Sequence, residues 1–292
     1  RSTQAKTLFP YTTLFRSVRP PSGACCGGWW RGEGRGAGAL LDAVSVRPHC
    51  PVGGSVIKAG LDFDAGRTVE IPIPGDGGAH AAVGGSSGGG KTEFLHSVIA
   101  QLAPLEHTAI VISDPAWMDY EPVWSPRASC IALGRVGAGW LLDQLEVELE
   151  WRLRHGRKLK VKRLLPSAET PRIVAVFDEI AMVTMGGAKG ATNRLVDMAQ
   201  VGRKVGIGLV LATQSPKSTV IPRLVLEQCP VRVAFRTEEP EQTDAILGTQ
   251  RVPAHQISFG NPGEAYVRMP SGGFAHIKAA YGGEEKYREI AE

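Results

Sequence analysis

The chain has 292 residues, 43% of them hydrophobic, which is enough to core one large domain or two small ones and too apolar for wholesale disorder. Basic side chains outnumber acidic ones 33 to 29, and a net charge of +4 admits nucleic-acid binding without arguing for it, because basic character counts where it clusters. Five cysteines without a C-x-x-C pair suit no disulfide framework. No apolar run approaches the roughly 18–20 residues needed to span a bilayer, and no charged-then-apolar leader opens the chain. These features imply a cytoplasmic location, with any membrane anchor carried by a lost N-terminal segment or by a partner.

Residues 7–17, TLFPYTTLFRS, resemble the translation of a short-read sequencing adapter, so residues 1–17 are set apart from the fold as an artefact. Residues 18–54 are rich in Gly, Arg, Trp and Cys and lack a helical or strand period, which predicts little fixed structure. Cys25, Cys26, His49 and Cys50 make a poor zinc set, since adjacent cysteines do not easily share a tetrahedral site. From residue 55 apolar runs alternate with amphipathic stretches. Strands are predicted over 69–73, 80–85, 108–113, 172–177, 208–213, 231–235, 264–268 and 274–281, and helices over 91–103, 141–154 and 191–204. Strands alternating with helices, each too apolar to have a wet face, imply an α/β fold with a mostly parallel sheet covered on both sides.

Between the strand at 80–85 and the helix at 91–103 lies GGSSGGGKT. Its composition is that of a flexible linker, but Gly85-x4-Gly90-Lys91-Thr92 fits the phosphate-loop pattern G-x-x-x-x-G-K-[ST] at every position. A strand before, a helix after and a terminal Lys-Thr decide for the phosphate loop. Gly85, Ser86, Ser87, Gly88, Gly89 and Gly90 would turn backbone N–H groups onto phosphate oxygens at the positive end of a helix. Lys91 would reach the β- and γ-phosphates of ATP, and the Thr92 hydroxyl would ligate Mg2+.

The segment RIVAVFDE supplies the acidic partner of such a loop: Asp178 for the Mg2+ shell and Glu179 to polarise an attacking water. Gln214, at the end of the strand GLVLATQ, is placed to sense the γ-phosphate. Thr184–Leu195 reads as a loop after the acidic pair, and RLRHGRKLKVKR at 152–163 is the densest positive cluster, either a second DNA surface or a solvated face.

The order of HAAVGGSSGGGKTEFL, IVAVFDEIAMV, AQVGRKVGIGLVLATQSP, CPVRVAFRTEEPEQTDAILG and NPGEAYVR resembles the FtsK/SpoIIIE DNA-translocase motor, from about residue 60 to 290. The resemblance implies a three-layer RecA-like P-loop NTPase core over 55–292, an ATPase that assembles as a ring homo-hexamer and pumps double-stranded DNA through its centre. ATP is then the small-molecule substrate, and no other is implied. Lys91, Thr92, Asp178, Glu179 and Gln214 fall on the family's nucleotide positions. Arg232 is the first candidate and Arg203 the second for an arginine reaching a neighbouring subunit's ATP, a device worth ~10^3–10^5 in rate. Lys189 and Arg194 match the loop facing the channel and would touch DNA phosphates without reading sequence.

Two positions depart from the family: Ser215 stands where it commonly has Arg, and Thr243-Asp244 where it commonly has Ser-Arg. The second change weakens the expectation of coupling between subunits. Two alternatives therefore stand beside the DNA motor, a secretion ATPase moving proteins and a nucleotide-dependent scaffold with weak hydrolysis.

Overall fold

The computed structural model describes residues 24–25, 56–75, 80–185, 190–217 and 219–292. The expectations for 1–17 and 18–54 lie outside the described residues, apart from a two-residue strand β1 (Ala24–Cys25). The remaining strands are β2 (Val56–Asp62), β3 (Thr68–Pro72), β4 (Ala81–Gly84), β5 (Thr108–Asp114), β6 (Cys130–Leu133), β7 (Arg172–Phe177), β8 (Ile207–Thr213), β9 (Val231–Phe235), β10 (Glu264–Arg268) and β11 (Phe274–Ala279). The α-helices are α1 (Lys91–Leu102), α2 (Glu121–Trp124), α3 (Gly134–Leu159), α4 (Ala181–Thr184), α5 (Ala191–Val201), α6 (Arg223–Leu226), α7 (Pro240–Leu247) and α8 (Glu284–Ala291).

One sheet holds all the strands, in the order β1-β6-β5-β7-β8-β4-β9-β10-β11-β2-β3. The stretch from β6 to β9 is parallel. β4, β5, β7 and β8 are buried at every position, as strands with helices on both faces must be. Alternate residues go to opposite cores: Ala109 and Val111 pack under α3 and α5 with Leu141, Leu145, Leu195 and Met198. Ile110 and Ile112 pack under α1 with Phe94, Leu95, Val98 and Ile99. The result is the three-layer α/β core read from the sequence.

Beyond β9 the sheet turns antiparallel through β10, β11, β2 and β3. This wing includes three of the strands that the sequence predicts, and it adds β2, which was not anticipated. β2 alternates buried and exposed residues around Ile57 and Ala59, and Lys58 and Gly60 break its simple apolar signal.

Two helices differ from expectation. α3 runs from Gly134 to Leu159, well beyond 141–154 at both ends. Its first turns carry Gly134, Gly137 and Gly139, poor helix formers in isolation, and the first two are held by close packing: a Cβ on Gly134 would meet the Trp117 indole at 2.6 Å and one on Gly137 the Ala132 backbone at 2.9 Å. The helix predicted over 191–204 ends at Val201 and tightens into a 3-10 turn, Gly202–Val205, before Gly206 reverses the chain at φ 77°.

Candidate nucleotide site

The C-terminal ends of β4, β7, β8 and β9 meet at one edge of the sheet, where Gly84 is level with Thr213 on one side and Ala234 on the other. β4 delivers the glycine loop there and α1 leaves from it at Lys91. Gly90 has φ 102°, and a Cβ on it would lie 2.5 Å from the Gly263 nitrogen, so both conformation and space demand glycine. The loop is tied to its neighbours by Gly85 N–H to Thr213 O (3.3 Å), Ser86 N–H to Arg236 O (2.7 Å) and Gly263 N–H to Gly89 O (2.8 Å).

Among the described residues no carbonyl accepts from the N–H groups of Ser87, Gly88, Gly90, Lys91 or Thr92. The buried Ser86 hydroxyl also lacks a partner there. Converging unpaired donors at the N-terminus of a three-turn helix are what polyphosphate oxygens require, so the residues present fit ATP.

Lys91 is buried and its Nζ lies 3.1 Å from Asp178 Oδ1, while the Thr92 hydroxyl faces Asp178 Oδ2 at 3.5 Å. Burying these two charges is tolerable only because they neutralise each other, and incoming phosphate would replace Asp178 as the lysine's partner. The pairing of Thr92 with Asp178 leaves a hydroxyl and a carboxylate side by side, a hard oxygen set suited to Mg2+. Glu179 is the next residue along. Its Oε1 accepts from the Thr213 hydroxyl at 2.8 Å and from Ala181 N–H at 3.2 Å, and its Oε2 accepts from Gln214 N–H at 2.8 Å. The end of β8 thus fixes the carboxylate next to the phosphate loop. It does so through Thr213 and the Gln214 backbone, and the Gln214 side chain is exposed.

The other sequence candidates lie elsewhere. The Arg232 guanidinium donates to three carbonyls, Leu226 (2.7 Å), Cys229 (3.0 Å) and Ile246 (3.4 Å), where it closes off the ends of α6 and α7. Its pKa is lowered by burial and then by the Arg268 charge. Arg203 is exposed in the turn before β8, at the end of the strand remote from Thr213. Arg194 is engaged by Asp143 and Glu146 of α3. Lys189 lies outside the described residues. In the basic run, Arg152 is fully buried and bonded to Glu148, Val205 O and Pro171 O, whereas most of the following cations are exposed.

The sequence reading missed the loop after β5. The Asp114 carboxylate accepts N–H bonds from Ala116, Trp117, Tyr120 and Glu121, folding residues 115–121 back over the site. Tyr120 is fully buried, and its ionisation is pushed well up by burial and by the nearby Asp178 charge. Its ring stacks on His96 at 4.7 Å, and Tyr287 of α8 stacks on the same imidazole at 5.3 Å. His96 Nδ1 accepts from Trp124 Nε1 at 2.7 Å, and burial lowers its pKa to about 4. A lone Asp before Pro-Ala-Trp offers no periodic signal, so only the turn geometry shows what Asp114 does.

No family model matches the chain. In sequence it is 29% identical over 245 residues to the DNA translocase FtsK of Corynebacterium glutamicum, covering 73% of this chain and 25% of that protein. It is 28% identical over 244 residues to the DNA translocase FtsK of Mycobacterium tuberculosis strain H37Rv, covering 72% and 28%. The chain therefore spans about a quarter of the length of these curated relatives. In structure it superposes on the pCW3 conjugation coupling protein TcpA, solved with ATPgS, with a TM-score of 0.68 and 18% identity over 80% of this chain and 69% of that one. The cytoplasmic domain of the Thermomonospora curvata type VII secretion ATPase EccC gives a TM-score of 0.67 and 23% identity, over 82% and 30%. The likeness read from the motifs is thus matched in sequence and in fold: the chain is similar in sequence to DNA translocases named FtsK and shares the fold of P-loop ATPases.

Proposed function

We propose that residues 55–292 form the ATP-hydrolysing motor of a double-stranded DNA translocase of the chromosome- or plasmid-transfer type, working as a ring homo-hexamer. The observation that carries the hydrolytic part is Glu179, held by Thr213 and the Gln214 amide beside the Lys91–Asp178 pair. Thr92 and Asp178 would hold Mg2+, which when bound offsets the charge of the phosphates. The backbone of residues 85–92 and the Lys91 ammonium bind and orient the triphosphate, and Glu179 polarises the attacking water. Strand β8 links that carboxylate to the rest of the sheet, so loss of the γ-phosphate can be passed along it.

Duplex DNA as the moved substrate is supported by the sequence relatives, which are DNA translocases. Phosphate contact is assigned to Lys189, because Arg194 is engaged with α3. The arginine acting on a neighbour's ATP is assigned to Arg203, because Arg232 is committed to three carbonyls. The motor is placed at the inner face of the cell membrane through a membrane-anchored partner or a segment outside the described residues. Among the described residues no helix is long and apolar enough to cross a membrane.

The test is ATP turnover with and without duplex DNA. Duplex should accelerate hydrolysis, with an effect that weakens steeply as salt rises, and Lys91→Ala should abolish turnover in both arms. Turnover indifferent to duplex at every salt concentration would sink the DNA reading in favour of a protein-moving ATPase or a scaffold. Wild-type rates in Lys91→Ala would sink the phosphate loop itself.

A further inference from the structure

The phosphate loop has two flanks, and they are chemically unlike. On the β8 side stand the carboxylates: Asp178 and Glu179 follow β7, and Glu179 is bonded to the end of β8. On the β9 side neither Arg236 nor the loop of residues 257–263 brings a carboxylate against the glycine loop. What leans on the glycines there is the Arg236 carbonyl, bonded to Ser86 N–H, and Gly263, bonded to Gly89 O.

A nucleoside triphosphate is a linear object whose hydrolysed end must face Glu179. Its other end, carrying ribose and base, then leaves the loop on the β9 side. The structure presents an aromatic surface there. Phe259 is 74% exposed, one of the most exposed large apolar side chains in the described chain, and it lies four residues before Gly263. The Arg236 guanidinium sits over its ring, 4.9 Å from the centroid. Arg236 itself and Gly263, four residues after Phe259, are hydrogen-bonded through their backbones to the phosphate loop, which keeps the pair close to it.

We propose that Phe259 and Arg236 form the nucleobase subsite, a stacking platform for the base of the bound nucleotide. This rests on the ATP-binding reading of residues 85–92 and extends it to the other end of the molecule. A phenyl ring and a guanidinium plane offer π and cation–π contact to any base, and stacking of this kind is tolerant of base identity. Two charged side chains nearby are already paired: Glu264 takes a hydrogen bond from Asn261 at 3.1 Å and lies 2.8 Å from His276 Nε2, and Lys278 donates to Pro262 O at 2.6 Å. A platform of this kind grips the base by its face, which adenine and guanine present alike, so their nucleotides bind alike.

The experiment measures dissociation constants of ADP, GDP and inorganic tripolyphosphate for the full chain and for Phe259→Ala and Phe259→Trp. Because the side chain is exposed, removing it leaves the core intact. Phe259→Ala should weaken ADP and GDP roughly tenfold, within the range for losing one stacked base. It should leave tripolyphosphate unchanged, and Phe259→Trp should retain or tighten the two nucleotides. ADP affinity unchanged in Phe259→Ala would overturn the subsite and leave the phosphate loop standing. An equal loss for ADP and tripolyphosphate would also overturn it, because the ring would then be acting through the loop. A preference of ADP over GDP beyond about tenfold in the wild type would overturn the edge-blind mode of binding. If the wild type binds neither tripolyphosphate nor ADP, the phosphate-loop reading falls and the subsite with it.

Discussion

On the proposed reading, the residue that decides the chemistry is Glu179. A carboxylate next to a phosphate loop could serve as a helix cap or as a base, and its partners separate the two. Glu179 accepts from Ala181 N–H, as a cap would, but it also holds the Thr213 hydroxyl and the Gln214 amide. Those bonds fix both oxygens at the end of β8, where Thr213 also binds the glycine loop. Glu179→Gln keeps the shape and removes the negative charge. It should leave ATP affinity near that of the wild type and lower turnover by roughly 10^2–10^4-fold, the range for removing a general base. Parallel equilibrium binding and steady-state hydrolysis check this, and a variant that hydrolyses at the wild-type rate would return Glu179 to the role of a cap. The acidic pair and the glycine loop were legible because each is a compact motif. The Asp114 turn and the Phe259–Arg236 pair were not, because their residues acquire meaning only from neighbours brought in by other elements.

Among the elements, β4 is the one on which the site hangs, and it is held at its start by a histidine. His80 Nδ1 accepts from Leu209 N–H at 3.0 Å while Nε2 donates to Ala199 O at 2.9 Å, joining β4 to β8 and α5. That pattern needs a neutral ring, and burial, aided by the Arg203 charge against the Ala199 bond, lowers the His80 pKa to about 4. His96 behaves likewise, with a pKa of about 4 in its aromatic stack. A folded pKa below the unfolded value of about 6.5 means that the unfolded state takes up protons first as pH falls. Stability is therefore complete above about pH 6.5 and is lost down to about pH 4, each histidine contributing about 2 kcal/mol of loss between pH 7 and 5. Urea unfolding at those two pH values should show the drop, and His80→Asn should remove about half of the pH dependence whatever it does to absolute stability. An equal dependence in both proteins would refute the assignment. The sequence places His80 at a strand start, but its two bonds span 119 and 129 residues and no local pattern announces them.

At the scale of the whole molecule the proposed ring raises the question of what would join one subunit to the next. The arginine candidates separate cleanly. Arg232 closes the ends of α6 and α7, so Arg232→Lys should lower the melting temperature by several degrees, as expected for losing part of a half-buried hydrogen-bond set in a chain of this size. Arg203 is exposed, so Arg203→Ala should fold normally, bind ATP normally and lose turnover by up to about 10^3-fold if the arginine acts on a neighbour. Mixing Arg203→Ala subunits into wild type should depress activity more than in proportion to their share. Strict proportionality, or full activity of Arg203→Ala alone, would remove Arg203 from the proposed interface.

Taken alone, the sequence determined the central strands β4, β5, β7, β8 and β9 but not β6, and it supplied the phosphate-loop motif with Lys91 and Thr92 and the carboxylates that follow β7. Such features depend on hydrophobic period and on motifs a few residues long, whose physics is local. Only the tertiary structure decided the antiparallel wing beyond β9, the glycine-rich start of α3 and the fate of Arg232, Arg194 and Gln214. A long polar side chain can reach several partners, and which one it takes depends on the carbonyls and carboxylates that distant segments bring within about 3 Å. The stretch GGSSGGGKT joins the two cases. Its pattern names a phosphate loop, but the unpaired N–H groups, the Asp178 partner and the different flanks that could orient a nucleotide exist only once β7, β8 and β9 are folded beside it.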